Sequence, residues 1–156
     1  MDFLKSVPGD DPIVVEGYFP ASPERVFSAW TDPEAVMKWF GHGLNSLHSA
    51  TIDLRPGGAW RFVRTKDAEK SVGFEGEYQE IAPGEKLVFS WAHVVVQADG
   101  AREATPYSRV EVTFTPTGKG TTVRVVHSAV RSEDARRGIG GGWQSAFTCL
   151  AEILAS

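Results

Sequence analysis

The fold is decided by residues 132–154, which read SEDARRGIGGGWQSAFTCLAEIL. Ser132 followed by two acidic residues predicts the start of a helix, because a hydroxyl cap and negative charge both stabilise a helix N-terminus. Four large apolar residues then recur at the spacing of one helix face: Trp143, Phe147, Leu150 and Leu154. The sequence therefore predicts a long C-terminal helix whose apolar face must pack against another element.

The first half of this helix contains an unusual glycine run. Four of the five residues in 138–142 are glycine, and each glycine costs up to about 1 kcal/mol relative to alanine inside a helix. One interpretation is that the missing side chains leave room for a ligand or permit opening. The other is a loop or broken turn before a shorter helix that begins near Trp143, and the sequence leaves both open.

Two short helices are predicted before the sheet. Ser22 precedes Pro23 and Asp32 precedes Pro33, and each pair places a capping oxygen ahead of a proline at the first helical position. The predicted helices cover residues 22–31 and 33–40.

The rest of the chain alternates apolar and polar residues with the period of two of β-strands. We predict strands over 13–19, 48–54, 59–65, 72–81, 86–96, 107–115 and 121–129. Pro- and Gly-containing turns join several of them, which favours antiparallel pairing. The large apolar residues of the strands share one face, and the C-terminal helix is the long apolar element available to cover it. The sequence thus predicts an α+β fold, a curved antiparallel sheet of six or seven strands wrapped around that helix.

Length and composition limit the function classes. With 156 residues, 42% of them hydrophobic, the chain is expected to form a single domain over 12–156 behind a flexible lead over 1–11. A net charge of −4 argues against nucleic acid as a partner. No apolar run approaches the roughly 20 residues of a membrane span. The lone Cys149 and the absence of a secretory signal pattern predict a cytoplasmic protein.

No spacing of polar residues is typical of a metal or catalytic centre. The histidines, at positions 42, 48, 93 and 127, lack the close pairing of zinc ligands, so we expect no metal and no cofactor. Ser90 and Ser108 have no base near them in the strand pattern. Cys149 lies off the apolar stripe, as an inert packing thiol would.

Two residues on the apolar face of the sheet are weak candidates for acid–base chemistry. Alternation places His127 there, where it either orients or protonates a polar ligand group or is bonded to water at a cavity rim. Tyr78 is the second candidate. A basic cluster, Arg131, Arg136 and Arg137, either attracts an anionic ligand or is a solvated helix end.

The order of motifs resembles a known family. The matching segments are 19–27 (FPASPERVF), 30–33 (WTDP), 38–41 (KWFG), 53–60 (DLRPGGAW), 76–81 (GEYQEI), 85–91 (EKLVFSW), 112–114 (VTF) and 142–143 (GW). They resemble the activator of heat-shock protein 90 ATPase homologue family, a branch of the START-like (SRPBCC, birch-pollen-allergen-like) superfamily with the helix-grip fold. The resemblance runs from about residue 13 to the C-terminus.

The resemblance implies a cavity between the sheet and the terminal helix that binds hydrophobic molecules. The ligand-binding residues expected there are Met37, Trp39, Phe40, Trp60, Phe62, Phe74, Tyr78, Phe89, Trp91, Val110, Val112, His127, Trp143, Phe147 and Leu150. Three hypotheses follow: a binding domain for a lipid-like or aromatic molecule, a cyclase- or hydrolase-type enzyme that uses the same cavity, or a chaperone-associated stress-response module. The sequence leaves a homodimer open.

Overall fold

The computed structural model describes residues 4–6, 11–40 and 43–155, which form three helices and nine strands. The helices are α1 (Pro23–Thr31), α2 (Pro33–Trp39) and α3 (Glu133–Leu154). The strands are β1 (Leu4–Ser6), β2 (Ile13–Phe19), β3 (Ser49–Ile52), β4 (Ala59–Lys66), β5 (Lys70–Ala82), β6 (Lys86–Gln97), β7 (Arg102–Ala104), β8 (Ser108–Thr117) and β9 (Gly120–Ser128).

All strand pairs are antiparallel, in the order β1-β2-β9-β8-β6-β5-β4-β3. The long strand β6 has two partners on one side: β8 pairs with residues 86–91 and β7 pairs with residues 94–96. Between them, Thr105 and His93 are joined by two hydrogen bonds, of 2.9 and 3.0 Å. This junction brings the start of β8 to one end of the sheet, where the candidate site lies.

The α+β fold predicted from the sequence is confirmed, with two differences in the strands. Leu4–Ser6, part of the expected flexible lead, pair with β2; residues 1–3 and 7–10 lie outside the described residues. The polar segment 99–106, between the strands predicted over 86–96 and 107–115, also contains a strand, β7. Both additions are three-residue strands paired at a sheet edge, too short to show a period in the sequence.

The predicted helix starts are observed. Ser22 accepts a hydrogen bond from the Arg25 N–H, and Asp32 accepts one from the Glu34 N–H. Ser132 caps α3 in the same way. Helix α3 runs without interruption through the glycine run, so the loop interpretation of 138–142 is wrong.

The helices cover the apolar face of the sheet, as the alternation predicted. Strand β2 is alternately buried and half-buried along its length, and α3 packs against β2 and α2. Rings of all three helices meet in the core, where Trp30 lies 4.8 Å from Trp39 and 5.8 Å from Trp143 between ring centroids. The opposite face carries ion pairs such as Arg109–Glu111.

Candidate functional site

A cavity of about 550 Å³ lies between the N-terminal half of α3 and the sheet. We call it the outer cavity. The wall on the sheet side is aromatic, with Phe74 and Trp91 stacked at a centroid distance of 5.2 Å and an interplanar angle of 27°. Phe40 packs edge-on against Phe74 and against Trp143, each at 5.8 Å. These rings present flat apolar surfaces to the cavity.

The helix side of the outer cavity is a face with few side chains. Gly138 and Gly142 line it, one helical turn apart, together with Ala135, Ile139 and Ala146. A Cβ atom built on either glycine meets no other atom within 4 Å. The two glycines therefore leave open space at a cost in helix stability of about 1 kcal/mol each.

A chain of buried hydrogen bonds supports the aromatic wall. The Trp143 indole N–H donates to His127 Nδ1 at 3.1 Å. His127 Nε2 lies 2.6 Å from Ser108 Oγ, and Ser108 Oγ donates to the Trp91 carbonyl at 3.1 Å. An indole N–H can only donate, so Nδ1 of His127 is the acceptor. The ring proton is therefore on Nε2, which donates a hydrogen bond to Ser108 Oγ.

Burial keeps His127 neutral. Its side chain is fully buried, and burial lowers its pKa from 6.5 to about 4. Protonation would also place an N–H on Nδ1, opposite the N–H of Trp143. His127 lies behind the cavity wall, and two residues that do line the cavity, Ser108 and Trp143, are held by it.

The Ser108–His127 pair was not foreseen, because alternation alone placed no base near Ser108. A serine nucleophile needs an unprotonated histidine nitrogen as its base, with an acceptor on the other nitrogen to hold the tautomer. Here Nδ1 of His127 faces the indole N–H of Trp143, which is a donor and not an acceptor. The observed tautomer therefore makes Ser108 an acceptor toward His127, which is the wrong direction for its activation.

The cavity mouth is polar and carries positive charge. Arg64 and His93 line it from β4 and β6, Thr105 lines it from the β7–β8 connection, and Arg131 and Ser132 line it from the β9–α3 connection. Burial, and secondarily the charge of Arg64, lower the pKa of His93.

The basic cluster predicted around the start of α3 is only partly at the mouth. Arg131 lines it. Arg136 donates to the Val130 and Arg131 carbonyls, and Arg137 pairs with Glu133 at 3.0 Å.

The deeper part of the expected cavity is filled by side chains. A small space of about 20 Å³, which we call the inner cavity, remains there. Its walls are Trp30, Val36, Trp39, Phe40, Trp60, Phe62, Tyr78, Leu87 and Phe89. Burial raises the pKa of the Tyr78 phenol, which keeps it protonated.

The residues expected to bind ligand thus divide into three groups. Four line the outer cavity: Phe40, Phe74, Trp91 and Trp143. Five more line the inner cavity: Trp39, Trp60, Phe62, Tyr78 and Phe89. Met37, Val110, Val112, Phe147 and Leu150 belong to the core and line neither cavity, and His127 lies behind the wall.

Sequence reasoning missed most of the cavity mouth. Arg64, His93, Thr105–Ser108 and Ala129–Ser132 line it, yet they come from four separate chain segments. The available signal was the long polar segment 99–106, since long loops in compact domains are frequently functional.

Within the described residues no helix is long and apolar enough to span a membrane, and no group of three or more His, Cys, Asp or Glu side chains could hold a metal ion. His42 lies outside those residues.

Comparisons with solved structures agree on this architecture. DynU16, from the dynemicin biosynthetic locus, is 26% identical with a TM-score of 0.73; the match covers 94% of this chain and 48% of that one, so this chain corresponds to about half of that protein. CalU16 from Micromonospora echinospora is 24% identical with a TM-score of 0.65, over 97% of this chain and 82% of that one. A protein from Rhizobium leguminosarum is 22% identical with a TM-score of 0.70, over 99% of each chain.

A search of curated proteins gave no significant match. The family model described as Activator of Hsp90 ATPase homolog 1-like protein, by contrast, matches residues 20–155. That range contains α1, α2 and α3, every strand from β3 onward, and all residues that line the outer cavity. The chain therefore belongs to the Activator of Hsp90 ATPase homolog 1-like family.

Proposed function

We propose that this protein binds a small hydrophobic molecule, aromatic or lipid-like, in the outer cavity. The observation that carries the proposal is the space of about 550 Å³ between the glycine face of α3 and the aromatic wall of the sheet. Small-molecule sites are typically concave, mostly apolar and roughly 300–1,000 Å³ in volume. The outer cavity has that size and that lining.

The aromatic wall favours a ligand with a flat ring system. Phe74 and Trp91 offer ring faces, and offset stacking of a third ring on such a pair is favourable beyond the area that it buries. The opposite wall at Gly138 and Gly142 is backbone without side chains, so a flat molecule can approach it closely. We infer that a planar ligand lies between the two walls.

The mouth favours an anionic group at the outer end of the ligand. Arg64 and Arg131 both line the cavity, and guanidinium groups bind carboxylates and phosphates well because several N–H donors point the same way. DynU16 belongs to a biosynthetic locus, which is consistent with a small-molecule ligand for its relative here.

Catalysis is the weaker alternative because the polar groups are arranged to hold the wall. His127 is neutral, lies behind the wall and uses both ring nitrogens in fixed hydrogen bonds. Tyr78 lines the inner cavity and its phenol stays protonated. We therefore propose binding without chemistry. The chaperone-associated role stays a prediction, and a pull-down with a heat-shock protein 90 homologue would test it.

The experiment is a titration with 1-anilinonaphthalene-8-sulfonate, which combines flat rings with an anionic group. The blocking variant is Gly138→Leu/Gly142→Leu, which places two side chains in the cavity. The matched control is Gly141→Leu: a Cβ atom there also meets nothing within 4 Å, but Gly141 does not line the cavity. All these changes favour the helix, by roughly 1 kcal/mol per glycine replaced, so poor folding is not expected to explain lost binding.

We expect 1:1 binding to the wild type and to Gly141→Leu, and an affinity at least about tenfold weaker in the blocking variant, since its side chains occupy the space of the ligand. Native mass spectrometry of gently purified protein gives a second readout, because a retained ligand appears as an adduct that is lost on denaturation. Equal affinity in the two variants, or no binding by the wild type, would contradict the proposal.

A further inference from the structure

One residue that lines the inner cavity, Trp30, has a buried hydrogen-bond donor with no acceptor in the described part of the chain. Trp30 is only 5% exposed, and its indole N–H has no partner among the described residues. Buried donors in native proteins are nearly always bonded to protein, water or ligand, so this N–H needs an acceptor that the described residues do not supply.

Comparison with its neighbours shows that Trp30 is the exception. Three indoles line the inner cavity. Trp39 donates its N–H to the Ala29 carbonyl at 2.9 Å, and Trp60 donates to the Ser90 carbonyl at 3.2 Å. These two N–H groups already donate to carbonyls of the protein, whereas the N–H of Trp30 is available to donate to a bound molecule.

The inner and outer cavities share one lining residue, Phe40. It contacts Phe62, Phe74 and Trp143 through edge-to-face packing at 5.0–5.8 Å, and rotation of its ring breaks no side-chain hydrogen bond. The ring of Phe40 is therefore the side chain that a ligand in the outer cavity would displace to reach the inner cavity.

We propose that the ligand extends past Phe40 and places a carbonyl oxygen in the inner cavity, where it accepts a hydrogen bond from the indole N–H of Trp30. The inference rests on the proposed function and narrows the ligand class to aromatic ketones and related carbonyl compounds. A space of about 20 Å³ accommodates one oxygen atom or one water molecule, so the oxygen enters and the rings stay in the outer cavity. Because an indole N–H only donates, it favours an acceptor oxygen over a hydrocarbon group of the same shape.

The test compares two probes of nearly identical shape, 2-acetylnaphthalene and 2-isopropenylnaphthalene, by titration calorimetry. The variants are Trp30→Phe, which removes the donor, and Trp60→Phe, a matched control whose N–H is already used by Ser90. We expect the wild type and Trp60→Phe to prefer the ketone about fivefold, the size of one net hydrogen bond. Trp30→Phe is expected to bind both probes equally.

A second readout follows the indole proton of Trp30 in the wild type. The indole proton of Trp30, identified in the ¹H–¹⁵N spectrum of the wild type by its loss in Trp30→Phe, should move downfield with the ketone and not with the hydrocarbon. Equal binding of both probes by the wild type, or no difference between their effects on this proton, would overturn the inference and leave the proposed function standing. That result would assign the inner cavity to a water molecule. Binding of neither probe would count against the proposed function itself, and the inference would fall with it.

Discussion

Replacing His127 by glutamine should remove a large part of the acid sensitivity of this protein. Glutamine cannot be protonated near neutral pH, yet its amide can accept from the Trp143 indole and donate to Ser108, as His127 does. The variant therefore keeps both hydrogen-bonding roles and loses only the titration. That makes it a selective probe of the charge on this side chain.

The magnitude follows from the two pKa values of His127. The pKa is 6.5 in the unfolded chain and about 4 in the folded protein, where burial disfavours the charged form. At about 1.4 kcal/mol per pH unit, the difference corresponds to about 3 kcal/mol. Because the folded pKa is the lower one, this stability is fully present above pH 6.5 and is lost as the pH falls from 6.5 to 4.

The assay is urea unfolding at half-unit steps from pH 7.5 to pH 4, monitored by far-UV circular dichroism. Carboxylates contribute to the pH dependence of both proteins, so the quantity of interest is the difference between their free energies of unfolding. We expect the free energy of unfolding of the wild type minus that of His127→Gln to fall by about 3 kcal/mol between pH 7.5 and pH 4, because only the wild type takes up this proton on unfolding. Parallel losses in the two proteins would refute the assignment of His127 as a neutral buried residue.

Three further substitutions test the packing around the site by urea unfolding at pH 7.5. Ala129 has a positive φ of 67°, so Ala129→Gly should raise the free energy of unfolding by up to about 1 kcal/mol as strain is relieved; a loss would contradict this. Thr121 is fully buried and donates to the Ala21 carbonyl at 2.7 Å, so Thr121→Val should cost about 1–3 kcal/mol, and a neutral effect would show that the carbonyl finds another donor. At Gly17 a Cβ atom would lie 2.9 Å from the ring of the fully buried Phe147, so Gly17→Ala should lower the free energy of unfolding by about 1–3 kcal/mol through overpacking. An unchanged free energy of unfolding would show that the ring moves aside.

Local features of the fold were predictable from the sequence because they depend on near neighbours along the chain. Ser22, Asp32 and Ser132 are the observed helix caps, and each acts on a backbone N–H two or three residues away. The alternation that placed Trp60 and Phe62 on one face of the sheet is likewise a property of a single strand. These signals require no knowledge of how the elements pack.

The candidate site depended on the tertiary structure. The helical state of residues 138–142 was undecided, because glycine has a low helix propensity and only packing of the flanking residues, such as Trp143, settles it. Alternation put His127 on the apolar face, but its bonds to Ser108 and Trp143 join three different elements, with partners 19 and 16 residues away along the chain. The sequence by itself determined which residues would be buried. Only the packing of α3 on the sheet decided which buried residues pack tightly, as around the inner cavity, and which leave space, as along the outer cavity. The volume left between two elements depends on both of the surfaces that face each other, so neither segment of sequence determines it alone.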